Sequence, residues 1–164
     1  MSASAFPRTL REHLVRLLDS SDAHVSFDEA IAGLPVRDRG RVPKGVPYSP
    51  WQLLEHLRLC QADILEFAVR RNYREKSFPA DYWPASVSPP STRAWTTSVA
   101  GIRRDRRALI RIARRQPNLT ARVAAGAGQT YLRELLVAAD HMAYHLGELI
   151  VVRRLQRNWP RAGR

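Results

Sequence analysis

The chain has 164 residues, of which 45% are hydrophobic, and its 27 lysines and arginines against 15 acids give a formal net charge of +12. This length suits one domain over residues 1–164 with a sizeable core, and the hydrophobic fraction excludes a disordered chain. The single cysteine, Cys60, excludes an internal disulfide and fits a reducing compartment. The first residues lack the apolar stretch of a signal peptide, and no apolar run is long enough to span a bilayer, so we expect a cytoplasmic protein with no membrane partner.

The positive charge is concentrated between residues 91 and 116, where eight arginines accompany one acid, Asp105. Proteins that bind nucleic acid usually combine basic residues with exposed aromatics or a recognised motif, and this segment has neither. We therefore expect a solvated helix face rather than a nucleic-acid partner. Arg106 falls on the apolar side of the segment, where it either extends to solvent or binds an anionic cosubstrate in a cleft.

The first half of the chain contains signals for three helices. Apolar residues at helical spacing predict a first helix over residues 7–19, ended by the polar residues 20–22. Ser26-Phe-Asp-Glu29 is a capping box and predicts a short helix. Ser49-Pro50-Trp51-Gln52 is a second capping box, with proline in the first turn, and predicts a helix to about Arg71. The prolines between these helices break any strand pattern.

The second half adds two long helices, over residues 91–116 and 130–155. Before them lies a long connection, residues 72–90, and its aromatic side chains suggest that it packs against the helices: Tyr73, Phe78, Tyr82 and Trp83. Four long helices and one short one predict an all-α fold of the four-helix-bundle type. The long connections between the first and second long helices and between the second and third argue against a simple up-down-up-down order.

The last helix carries His141 and His145, which lie four residues apart and so share one face. On this pair alone, two ordinary polar residues are the simpler interpretation, because Met142 stands where a zincin motif has its glutamate. Glu134 and Glu148 lie on the same face of the helix. They are the candidate catalytic residues, either orienting the imidazoles or handling a proton.

His56 lies at the edge of the apolar stripe of the second long helix and is the natural third ligand to a metal. Three neutral imidazoles leave coordination positions open for water or substrate, as in catalytic sites. Such a ligand set suits zinc, nickel, iron or copper. Cys60 lies one turn beyond His56, and we interpret it as a small buried residue rather than a ligand.

Four motifs resemble the DinB-like family of damage-inducible bacterial four-helix bundles: Trp51-Gln-Leu-Leu-Glu-His56-Leu, Asp63-Ile-Leu-Glu66-Phe67, Trp83-Pro84, and Asp140-His-Met-Ala-Tyr-His-Leu-Gly-Glu148. The resemblance covers essentially the whole chain and implies an up-down-down-up bundle that often forms homodimers. It also implies a divalent metal, often nickel or zinc, on His56, His141 and His145. Some relatives are transferases or isomerases that use mycothiol, bacillithiol or glutathione. Many relatives have Gln where this chain has Glu148.

Two functions of different classes follow. The first is a metal-dependent enzyme that activates a low-molecular-weight thiol for reaction with a small-molecule substrate. The second is a non-catalytic stress-response or binding protein with a basic surface, in which the metal site is vestigial. Stoichiometric metal in untagged protein favours the first, and salt-sensitive binding of an acidic partner by metal-free protein favours the second.

Overall fold

The computed structural model describes residues 8–19 and 23–160, and within these ranges the protein is all-helical. The α-helices are α1 (Arg8–Asp19), α2 (Phe27–Ile31), α3 (Pro50–Val69), α4 (Thr92–Arg115) and α5 (Tyr131–Leu155). A 3-10 turn, Val36–Asp38, follows α2, and an isolated bridge joins Arg122 to Thr130 without forming a strand. The all-α prediction is confirmed. The expected start of the first helix at Pro7 and its expected end at residues 20–22 lie outside the described ranges.

Both capping boxes form as the sequence predicts. The Oγ of Ser26 accepts a hydrogen bond from the backbone N–H of Glu29, whose carboxylate accepts one from the backbone N–H of Ser26. Ser49 and Gln52 repeat this exchange at the start of α3, with both bonds at 3.1 Å. A cap of this kind stabilises a helix by about 1 kcal/mol. The second cap fixes the start of α3 and therefore the position of His56 in its second turn.

Helices α3 and α1 each pack against both α4 and α5. One apolar cluster joins α2, α3, α4 and α5, and its central side chains are fully buried: Phe27, Leu53, Leu54, Ile102 and Leu149. A second cluster joins α1 to the other ends of α4 and α5: Leu14, Leu18, Leu109, Leu135 and Ala139. Burial of a Leu or Phe side chain contributes about 1.5–3 kcal/mol. These clusters hold α3 and α5 side by side, which sets the distance between their histidines.

The connection from α3 to α4 is tied to α3 by its aromatic residues. Tyr82 donates a hydrogen bond from its hydroxyl to Asp63 at 2.7 Å, and Tyr73 donates one to the same carboxylate at 3.0 Å. Trp83 packs partly buried against the core. The expectation that the aromatics pin this connection holds for these three residues. It is wrong for Phe78, which is 75% exposed, because its ring lies beside that of Tyr82 in the same connection.

Among the described helices, α5 is the one that is long and apolar enough to cross a membrane, with a mean hydropathy of 1.4 over its best window. The sequence had predicted no such run. Buried core helices of soluble proteins meet the same criteria, and 44% of this window is buried inside the protein. Helix α5 contacts α1, α2, α3 and α4, so its apolar residues are needed for packing within the protein.

Candidate metal centre

Three histidines converge between α3 and α5. His56 comes from the second turn of α3, and His141 and His145 come from successive turns of α5. One potential ligand atom from each lies within 4.8 Å of the other two, so that the three could hold a metal ion. The structure therefore brings together all three residues that we predicted from the sequence as metal ligands.

The distance between two of the ring nitrogens fits a shared metal. The Nε2 atoms of His56 and His141 lie 3.2 Å apart. Two nitrogens bound tetrahedrally to one zinc ion are separated by about 3.3 Å, given metal–nitrogen bonds of about 2.0–2.1 Å. These two ring nitrogens are thus already at the spacing that a small divalent metal requires.

A backbone carbonyl orients the ring of His56. Its Nδ1 lies 2.8 Å from the carbonyl oxygen of Tyr82, which can only accept, so Nδ1 carries the proton and donates it. The lone pair is then on Nε2, the nitrogen that faces His141. Trp83 stacks on the imidazole at 3.9 Å between ring centroids, and Tyr48 stacks on Trp83 at 4.3 Å. The ring of His56 is therefore fixed in both tautomer and orientation.

A carboxylate orients the ring of His145. Its Nδ1 lies 2.6 Å from Oε2 of Glu148, three residues later on α5, so a proton on Nδ1 is donated to the carboxylate and the lone pair is on Nε2. Histidines that bind metals usually donate their second ring N–H to a carboxylate or a carbonyl, which also strengthens them as ligands. His56 and His145 have one such partner each. Of the roles that the sequence left open for Glu148, the geometry supports orienting an imidazole.

All three imidazoles are held in the neutral form that binds metals. Burial, together with the nearby rings of His145 and His56, lowers the pKa of His141 to about 4, although Asp140 opposes this. Burial, together with His56, also lowers the pKa of His145 to about 4. The pKa of His56 is lowered by burial too, against the opposing effects of the Tyr82 carbonyl and Glu148. Burial raises the pKa of Glu148.

Cys60 lies beside the site but outside the three-residue ligand group. Its Sγ is 3.5 Å from Nδ1 of His56, the nitrogen that the Tyr82 carbonyl already engages, and 3.7 Å from Nε2. Burial and the nearby charge of Asp63 raise the pKa of the thiol to about 12, although Lys76 opposes this. The thiol is buried and its sulfur is not part of the three-histidine group, so the structure agrees with our interpretation of Cys60 as a small buried residue.

The other two candidates from the sequence have contacts of their own. Glu134 is buried in the first turn of α5 and accepts a hydrogen bond from the side chain of Arg133 at 2.6 Å. Arg106 is only 13% exposed and pairs with Asp28 of α2 at 3.3 Å and with Asp19 of α1 at 3.7 Å. Two carboxylates therefore already pair with the guanidinium of Arg106, and binding of an anion there would require these ion pairs to break.

Sequence reasoning did not assign to any residue the role of supporting His56. Asp63 accepts from the hydroxyl of Tyr82 and so holds the residue whose carbonyl orients the imidazole. Lys76 adds an ion pair to Asp63 at 2.9 Å. A buried acid one helical turn past Cys60, followed by a tyrosine-rich connection, was the available signal. The role of the Tyr82 carbonyl could not be predicted, because every residue has a backbone carbonyl.

No family model, curated protein or solved structure matches this chain. The likeness to the DinB-like family therefore rests on the motifs around His56, Trp83 and His141, and the site's chemistry rests on its geometry.

Proposed function

We propose that this protein is a DinB-like, divalent-metal-binding enzyme that catalyses a thiol-dependent transfer or isomerisation. The single observation that carries the metal site is the convergence of three neutral imidazoles from two helices. Two of them present Nε2 because their Nδ1 atoms are engaged elsewhere: His56 by the Tyr82 carbonyl and His145 by Glu148. A set of three imidazoles suits nickel, zinc or iron and leaves room for a further ligand.

The proposed fold is an up-down-down-up four-helix bundle made of α1, α3, α4 and α5. Two observations support it. Helices α1 and α3 each pack on both α4 and α5, as diagonal partners in a bundle do. The connection over residues 70–91 is long enough to return along the bundle, which parallel neighbours α3 and α4 need.

A bound divalent metal would supply Lewis acidity and lower the pKa of a thiol that binds to it. The chain's own residues hold the ligands for that role. Glu148 and the Tyr82 carbonyl keep the ligand nitrogens of His145 and His56 unprotonated and facing the centre. Trp83 covers one face of His56 and keeps water from it. Glu148 is thus a positioning residue, and Glu134, ion-paired with Arg133, has no part in this arrangement.

Turnover tests the proposal. Metal-loaded protein is assayed with mycothiol, bacillithiol and glutathione and with a chlorodinitrobenzene as electrophile. We expect a rate with one thiol that falls by at least about 100-fold in His56→Ala, the loss expected when a metal ligand is removed. His13→Ala, which removes an exposed histidine of α1, is the matched control and keeps the rate. Equal rates in wild type and His56→Ala with every thiol would reject the enzymatic function.

A non-catalytic binding protein is the second candidate, and the outer face of α4 favours it. Arg107, Arg111 and Arg115 are exposed there, and within the described ranges none of them pairs with a carboxylate. Such a face attracts acidic partners through long-range charge. This candidate predicts salt-sensitive binding of an acidic partner by protein stripped of metal. Binding that depends on the metal ligands instead would exclude it.

We also propose that the protein is a cytoplasmic homodimer. Leu136, Tyr144 and Val151 lie on one exposed face of α5 and offer an apolar surface to a second copy. The Val151→Glu variant should then sediment as a monomer where wild type sediments as a dimer, and an unchanged sedimentation coefficient would exclude this face as the interface.

A further inference from the structure

A second pocket, built from different residues, lies where the loop after α2 meets the start of α4. Its volume is about 580 Å³, the size of a small-molecule site. Its polar lining is strongly basic and rich in hydroxyls, with no acid in it: Arg37, Arg39, Arg41, Ser88, Ser91 and Thr92.

Arg39 is held in place and yet lacks hydrogen-bond partners. Its guanidinium carbon lies 4.5 Å from the centre of the Trp95 ring, so the group stacks on the indole. Its Nε and Nη1 atoms are buried and have no partner among the described residues. Burying a charged group without a counter-charge is costly. Because Arg39 also lines the pocket, an anion there would lie beside this charge and offset part of that cost.

The charge of the pocket is only partly compensated. Arg41 pairs with Asp38 at 3.0 Å and donates to the carbonyl oxygen of Gln156 at 2.9 Å. Arg37 is exposed, and in the part of the chain that the structure describes neither Arg37 nor Arg39 has an acidic partner. Two positive charges therefore face this space without a counter-charge.

The opposite wall consists of the start of α4 and the segment before it. The first backbone N–H groups of a helix have no partner within the helix and favour anions. The Ser91 side chain accepts a hydrogen bond from the backbone N–H of Ala94, and the N–H of Thr92, a residue of the pocket lining, has no partner within the helix. Gly40 allows the two walls to approach, because a Cβ at that position would lie 1.8 Å from Oγ of Ser88. The pocket thus has guanidinium groups on one wall and the first turn of α4 on the other.

We propose that this pocket binds the phosphate group of a small phosphorylated molecule. Planar guanidinium groups and helix N–H groups together match the oxygens of a tetrahedral phosphate. The pocket has the volume of a small-molecule site, which favours a metabolite over the backbone of a nucleic acid. The proposal is independent of the metal site and of the function proposed for it.

Calorimetric titration at constant ionic strength tests the pocket, with inorganic phosphate, glycerol phosphate and acetate as probes. Wild type should bind both phosphates and not acetate. Arg37→Gln removes an exposed side chain, and Thr92→Asp places a competing carboxylate where a helix start tolerates one. Each should weaken binding of glycerol phosphate by about tenfold or more, the effect of losing one charged hydrogen bond or adding a repulsive charge.

Arg107→Gln removes the same charge from the outer face of α4 and is the matched control, which should bind glycerol phosphate as wild type does. An equal loss in Arg107→Gln and Arg37→Gln would mean general attraction to a basic protein and would overturn the proposal. Absence of binding to wild type would do the same. A short DNA duplex that displaces glycerol phosphate at a lower concentration than the ester itself would overturn the choice of a small molecule.

Discussion

Glu148 Oε2 lies 2.6 Å from Nδ1 of His145, and this contact decides which nitrogen of His145 faces the other two histidines. Glu148→Ala should lower metal affinity by about 10–100-fold, the usual effect of losing a group that orients a ligand. Glu148→Gln should lose less, because its amide oxygen can still accept the bond. Competition against a chromophoric chelator measures these affinities.

The matched control for this prediction is Glu134→Gln, which changes the other acid on the same helix face. It should leave metal affinity unchanged, since Glu134 pairs with Arg133. A larger loss in Glu134→Gln than in Glu148→Ala would show that the two acids have the opposite roles.

The hydroxyls of Tyr82 and Tyr73 both donate to Asp63, but only Tyr82 also orients His56 through its carbonyl. Tyr82→Phe and Tyr73→Phe should therefore each lower the free energy of unfolding by about 0.5–1.5 kcal/mol, the value of one hydrogen bond. Only Tyr82→Phe should also weaken metal binding. Chemical denaturation of the metal-free proteins and chelator competition separate the two effects. Equal metal affinities in the two variants would show that the carbonyl keeps its place without the hydroxyl.

Cys60 should be unreactive and dispensable for metal binding. Burial raises the pKa of its thiol to about 12, so the fraction present as thiolate at pH 8 is very small. We expect a disulfide reagent to label native protein far more slowly than protein in denaturant. Cys60→Ala should bind as much metal as wild type. Loss of metal in Cys60→Ala would make the sulfur a ligand and contradict our interpretation of Cys60.

Metal-free protein should lose stability as the pH falls from 6.5 towards 4. The folded pKa values of His141 and His145 are about 4, below the ordinary value of 6.5, so over this range the unfolded chain binds protons that the folded chain does not. The free energy of unfolding therefore falls as the pH is lowered. Denaturation with urea at several pH values measures it. The variant His141→Ala/His145→Ala should show a shallower dependence, and an equally steep one would place the titrating groups elsewhere.

The helices were predictable because their signals are local. Ser49, Pro50 and Gln52 mark the start of α3 within four residues, and the structure confirms both the cap and the register that follows from it. The pairing of His141 with His145 was equally local. Adding His56 to this pair as a third ligand required α3 and α5 to be neighbours, which we inferred from the apolar faces of the two helices.

Contacts between distant side chains were not predictable in the same way. The two partners of Arg106, Asp19 and Asp28, come from α1 and α2, and only the packing of three elements brings them together. The pocket beside Arg39 likewise combines a loop with the start of a helix some fifty residues later. Residue type gave no signal for either, since an arginine on an apolar helix face or in a loop fits many environments.

The metal content of untagged protein tests the central claim most directly. After equilibration with nickel or zinc and removal of free ion, elemental analysis should give about one metal per chain in wild type and in His13→Ala, and almost none in His56→Ala. Metal at 1,000 times its Kd should raise the free energy of unfolding of wild type by about 4 kcal/mol. A wild type without metal, or a His56→Ala variant that retains it in full, would contradict the three-histidine centre.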